Sequence, residues 1–244
     1  MPEPFDLRVE IPAALTDPAA AWRFIERFAA RLGAPVGPDD GFPESGLAAA
    51  EQRLGLRLPL AVRELYGRFG RRHDLLSGSR TLLPPEELEA DDTALIWQVE
   101  AFWLYQVAVP LDRLAEADPP VLIDGSSPAY DDWEPYADRF SAACVETVMS
   151  ENSLCGDWGG WRRECLPSDT AVLDRSLTRV PPLISPGGRD NADRWYAGAD
   201  VLVHLDRSDE RSESGWLYVR ALTREAWDGF RTAFPGAWTE TVGG

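Results

Sequence analysis

Loop carboxylates, two isolated histidines, three cysteines and ten tryptophans are the residues of this 244-residue chain whose types could do chemistry. The carboxylates gather as Asp91-Asp92, as Asp131-Asp132 with Glu134, and as Asp206 with Asp209-Glu210. Calcium takes oxygens of this kind, but no EF-hand loop pattern frames any of them, so solvated acidic loops and no metal are expected. Tryptophan beside paired carboxylates is also what a sugar-cleaving groove uses, two carboxylates for acid–base work and flat rings for stacking. Most of the tryptophans fall in stretches that read as strands or helices, where burial of a large ring is the plain explanation. Trp133, Trp158 and Trp161 fall in loops and could anchor a partner.

Nucleophilic catalysis finds little support. His73 follows Arg71-Arg72 in an expected loop, His204 sits in an expected strand two residues before Asp206, and no G-x-S-x-G elbow is present. Cys144, Cys155 and Cys165 are odd in number and lack C-x-x-C spacing, which argues against a disulfide framework or a zinc site. Gly156-Asp157-Trp158-Gly159-Gly160-Trp161 is glycine-rich but carries no lysine and no P-loop spacing. The expectation is a protein with no catalytic residues and no cofactor.

The elements that must position these groups follow from hydropathy spacing. Seven of the 20 prolines precede residue 44, so residues 1–43 read as a loose arm holding one helix, capped by Asp17, opened by Pro18 and stopped by Gly33. Helices are expected over 45–54, ending at Gly55, and over 59–69, ending at Gly70. Strands are expected at 81–83, 95–99, 102–109 and 121–123, then a polar loop from 125 to 138 and a helix over 141–153 with Val145, Val148 and Met149 inward. Residues 156–188 read as loop-rich. Strands at 201–205 and 216–221 precede a closing helix capped by Thr223. Helices at both ends of strand runs, without regular βαβ alternation, argue for an α+β fold with a mostly antiparallel sheet and helices packed around it, plus a C-terminal ββα extension. The expected organisation is an arm over 1–43, a core over 44–155 and an extension over 156–244.

Charge limits the partners. Forty-one acidic residues against 24 basic ones, all of them arginine, give a net charge of −17. That excess opposes a nucleic-acid grip, which needs a basic face, and disfavours an anionic membrane surface. A basic protein surface would be steered in. No stretch approaches the roughly 18 apolar residues of a membrane span, and the N-terminus has acids and prolines where a signal peptide has a basic start and an apolar run. Reduced thiols and a cytoplasmic location are expected.

One ordered set of short motifs is specific. It runs Glu51-x-x-Leu54-Gly55-x-x-Leu58-Pro59, Leu65-Tyr66, Gly70, Leu83-Pro84 with Glu87-Leu88, Glu100 before Trp103, Asp118-Pro119-Pro120-Val121, Trp133 and the helix after Ser141. This set resembles the SUKH superfamily of bacterial toxin-immunity proteins and fungal cell-wall regulators. It departs from many members in carrying Arg71-Arg72-His73 after Gly70 and Glu100-Ala101 at the central strand. The resemblance implies a SUKH-like α+β core and a non-enzymatic protein that occupies a cognate polymorphic or contact-dependent toxin, for example a nuclease or deaminase with a basic face. An intracellular scaffold or regulator is the alternative, and a carboxylate-based sugar hydrolase a weaker one. The expected binding face is Glu86, Glu87, Asp91 and Asp92 after Leu83-Pro84, together with Asp131, Asp132, Trp133 and Glu134.

Overall fold

The computed structural model describes residues 4–102, 104–125, 133–154, 160–182, 194–207 and 215–241. Eight helices among these are α1 (Leu7–Ala14), α2 (Pro18–Arg31), α3 (Glu44–Leu54), α4 (Leu60–Phe69), α5 (His73–Leu76), α6 (Phe140–Leu154), α7 (Asp169–Ser176) and α8 (Arg224–Ala233). The strands are β1 (Arg80–Leu82), β2 (Glu89–Ala90), β3 (Ala94–Glu100), β4 (Tyr105–Pro110), β5 (Val121–Gly125), β6 (Glu134–Ala137), β7 (Gly160–Glu164), β8 (Thr178–Arg179), β9 (Arg194–Ala197), β10 (Val201–Arg207), β11 (Gly215–Ala221) and β12 (Thr239–Glu240). They form two antiparallel six-stranded sheets, ordered β1-β3-β4-β5-β6 with β2 also on β3, and β12-β7-β11-β10-β9-β8. The fold is α+β, and β3, β4 and β5 are antiparallel neighbours in one sheet, as their short connections imply.

Buried α6 lies at the centre. Val145, Val148 and Met149 are inward as expected, and the other faces are enclosed as well, since residues 140–153 are all buried. A helix enclosed on all sides shows no apolar stripe. It touches α1, α2, α4 and α5, strand β6, and β7, β10 and β11 of the second sheet. Its start is held by Asp118, which accepts from the Ser141 backbone N–H at 2.8 Å and the Ser141 hydroxyl at 2.6 Å. The aspartate of the Asp118-Pro119-Pro120 run therefore anchors a helix as well as leading into β5.

The first 43 residues are not a loose arm. They contain two helices, and Leu7, Ile11, Trp22, Phe24, Ile25 and Phe28 lie in the main core. Asp17 caps α2 as expected, accepting from the Ala19 backbone N–H at 3.1 Å. Most prolines in this segment stand between helices or at the first position of α2, and Pro12, inside α1, still leaves Leu7, Ile11 and Ala14 of that helix packed in the core.

Three further departures have physical causes. Strand β4 begins at Tyr105, not at residue 102: the aromatic run favours a strand, but residues 101–104 connect β3 to β4. Strand β6 falls inside the expected polar loop because Pro135 hides it; proline is tolerated there since β6 is the sheet edge, paired to β5 alone. Strand β7 and helix α7 fall inside the stretch read as loop. In β7, Arg163 is buried and bonded to Asp169 at 2.7 and 2.8 Å, so a charged pair occupies a position where alternation requires an apolar residue. Thr223 does cap α8, accepting from the Ala226 N–H at 3.1 Å.

Candidate protein-binding face

The motif residues of α3 and α4 position one acidic loop. Gly55 takes the left-handed conformation, φ 70°, that ends α3. Glu51 then closes the corner, its Oε1 accepting from the Leu58 N–H at 2.9 Å and from Arg63 at 2.8 Å. The buried Tyr66 hydroxyl donates to the Leu83 carbonyl at 2.6 Å. Arg53 Nη2 donates to the Pro85 carbonyl at 3.0 Å and the Leu88 carbonyl at 2.8 Å. The Pro84 carbonyl accepts from the Glu87 and Leu88 N–H groups, and the Leu88 side chain is fully buried. The turn after Leu83-Pro84 is thus tied down from two helices while its acidic side chains point to water.

Replacing Arg53 with methionine should release this loop. Two carbonyls lose a charged donor, a loss of about 1–3 kcal/mol by the usual range for such bonds. Amide hydrogen exchange at residues 84–88 should accelerate, with little change in the helices; unchanged exchange there would contradict the anchoring role.

Asp91 closes the other end of the loop. Its Oδ1 accepts from the Thr93 N–H (2.6 Å), the Thr93 hydroxyl (2.8 Å) and the Ala94 N–H (2.6 Å). Its Oδ2 accepts from the indole N–H of Trp133 at 3.3 Å. The two loops named from sequence, 42 residues apart at this contact, therefore meet. Burial pushes the Asp91 carboxyl up, but the Thr93, Ala94 and Trp133 donors hold it below its ordinary value. A depressed acid stabilises the folded loop above the unfolded pKa of about 3.9 and loses that contribution as pH falls through the lower folded value. The Trp133 indole N–H resonance should accordingly shift with a midpoint below about 3.9. A midpoint at or above that value would contradict the contact.

Glu86, Glu87, Glu89 and Asp92 are exposed, and their carboxylates make no ion pair or hydrogen bond among the described residues. Some acids elsewhere are matched, Glu44 and Glu51 by Arg63, Asp40 and Asp74 by Arg72, Glu64 by Arg68. Asp39, Asp112, Glu164 and Glu225 are also exposed and unmatched among the described residues, but each stands apart in the sequence, whereas the loop gathers four within seven positions. Of the remaining sequence candidates, Glu134 is half-buried at the start of β6, and Asp131 and Asp132 lie outside the described residues. Glu89, in β2, and the anchors Arg53 and Tyr66 were not among the candidates. Glu89 was legible as one more acid in the run from 86 to 92, whereas nothing in the spacing marks Arg53 as a loop clamp.

Other chemistry-bearing residues sit elsewhere. Trp161 is not a loop anchor; it stacks on Trp227 with ring centroids 3.8 Å apart. His204 stacks on Trp195 at 4.3 Å. Cys144 is fully buried, and burial pushes its thiol well up. Cys155, Trp158, Asp209 and Glu210 lie outside the described residues. Among the described residues, no group of three His, Cys, Asp or Glu side chains could hold a metal ion, and no helix is long and apolar enough to cross a membrane. An open groove of about 550 Å³ runs between α7 and α8 over Phe230 and Phe234, with Asp200 and Glu225 in its lining.

Compared with known family models, curated proteins and solved structures, the chain matches none.

Proposed function

We propose that this protein is a cytoplasmic, non-enzymatic toxin-immunity protein of SUKH type, which binds the basic face of a cognate toxin through the loop from Pro84 to Asp92. The observation that carries the reading is the set of unmatched carboxylates, Glu86, Glu87, Glu89 and Asp92, on a loop clamped by Arg53 and Tyr66. Like charges held together in water oppose one another, and a neutral fold has no use for that repulsion. A cationic partner turns it into attraction and speeds encounter. The −17 net charge adds a long-range field of the same sign. A nuclease or deaminase, whose own substrate is anionic, presents a surface of the matching kind. The motif residues Glu51, Gly55, Tyr66 and Asp118 all make fold-determining bonds, so the resemblance speaks to the scaffold and the carboxylates to the partner.

The test uses the protein encoded by the neighbouring open reading frame. Expressed alone in a bacterial host, its toxin domain should arrest growth, and co-expression of this protein should restore growth with formation of a stable complex. A neighbouring product that is harmless, or toxicity that this protein does not relieve, would overturn the reading.

A further inference from the structure

The connection between β3 and β4 breaks the usual chemistry of turns. Hairpin turns draw on Gly, Asn, Asp and Ser; this one reads Ala101-Phe102-Trp103-Leu104. Phe102 is 80% exposed and Leu104 60% exposed, whereas the other large exposed apolar side chains stand on separate elements. The turn geometry comes from outside the turn residues. Glu100 folds its carboxylate over the connection, Oε2 accepting from the Phe102 N–H at 2.7 Å and the Leu104 N–H at 3.3 Å. Ala101 donates its N–H to the Ser79 carbonyl at 2.9 Å. Ser79 is itself fixed by Glu151 of the central helix, which accepts from its N–H at 2.7 Å and its hydroxyl at 2.9 Å. An apolar tip is thus held out to water on a rigid chain of bonds that leads back to the core.

We infer that Phe102 and Leu104, on the connection between β3 and β4, are the anchor that enters an apolar cleft on the toxin, a cleft rimmed by basic residues; this rests on the toxin-immunity reading above. Apolar side chains kept in water cost free energy that only burial elsewhere recovers, and departures from local rules without structural gain concentrate at functional sites. Rigidity selects the kind of partner. A tip fixed in advance lowers the ordering cost of entering a shaped pocket, whereas fluid lipid gains nothing from it. The Glu100 carboxylate at its base and the −17 charge of each molecule oppose both an anionic bilayer and a second copy. The acidic loop precedes β3 and the tip follows it, so a seven-residue strand, about 20 Å long, separates them. An interface of ordinary size, roughly 800 Å² per partner, is wide enough to reach both.

The division of labour is measurable with the neighbouring toxin domain on a biosensor surface. Phe102→Ser with Leu104→Ser should dissociate about 30-fold faster or more, as hot-spot truncations do. Its association rate should stay within about twofold and its melting temperature should not change. Glu86→Lys with Glu87→Lys and Asp92→Lys should instead slow association. If the wild type binds and the tip variant dissociates at the wild-type rate, the anchor is wrong and the immunity reading stands. If the wild type does not bind, both fall. Tip-dependent sedimentation with phosphatidylcholine vesicles, or a tip-dependent dimer in analytical ultracentrifugation, would also overturn the anchor.

Discussion

Replacing Arg80 with methionine should destabilise the protein by about 3–5 kcal/mol, the usual consequence of removing one partner from a buried ion cluster. Arg80 is 3% exposed; its Nε donates to Glu151 and its Nη1 to Glu146, both at 2.9 Å. Glu151 is 2% exposed and also accepts from Ser79. Tyr136 donates to Glu146 at 2.7 Å, and burial followed by that carboxylate pushes its hydroxyl well above its ordinary pKa, so it remains a donor. Two buried carboxylates therefore depend on one guanidinium. Without it, they remain in a medium that solvates charge poorly, and the deficit is a large share of a typical stability of about 5–15 kcal/mol. Urea unfolding reads it directly. Adding Glu146→Gln and Glu151→Gln removes the stranded charges while keeping acceptors for Tyr136 and Ser79, and should recover most of the loss. A decrease below about 1 kcal/mol for Arg80→Met alone would show that the cluster is better hydrated than its burial implies.

This cluster also shows where the sequence stops being legible. Leu65, Tyr66 and Phe69 of α4, the Asp17 and Thr223 caps and the Gly55 stop declare themselves because apolar spacing and cap chemistry act over a few residues. Arg80, Glu146 and Glu151 satisfy one another across more than 60 positions, and no local pattern carries such a pairing. The same holds for Arg163 with Asp169, whose burial hid β7, and for Pro135, which hid an edge strand. The acidic loop was half visible. Its carboxylates could be read from the chain, but their separation from every arginine could not, because Arg53 ends up beneath the loop donating to backbone carbonyls rather than to Glu86 or Glu87. The contact between Asp91 and Trp133 depends on how the first sheet brings its two margins together.

Charge reversal of the loop should have the largest effect on binding. Glu86→Lys, Glu87→Lys and Asp92→Lys together change the face by six charges and remove no bond found among the described residues. Association with the toxin domain in low salt should slow by about 10- to 100-fold, the range that electrostatic steering supplies. The gap should narrow as added salt shortens the screening length to about 8–10 Å. The melting temperature should hold within a few degrees, since surface changes away from caps and cores usually stay within about 0.5 kcal/mol.

The central claim is that the loop from Pro84 to Asp92 is the face covered by the toxin, and the most direct measurement is hydrogen exchange of this protein alone and in complex with the neighbouring toxin domain. The account predicts slowed exchange over residues 84–93 and over the 100–105 hairpin, with the groove between α7 and α8 unchanged. Slowed exchange confined to residues 176–177, 199–201 and 223–234, with the 84–93 loop exchanging as fast as in the free protein, would contradict it.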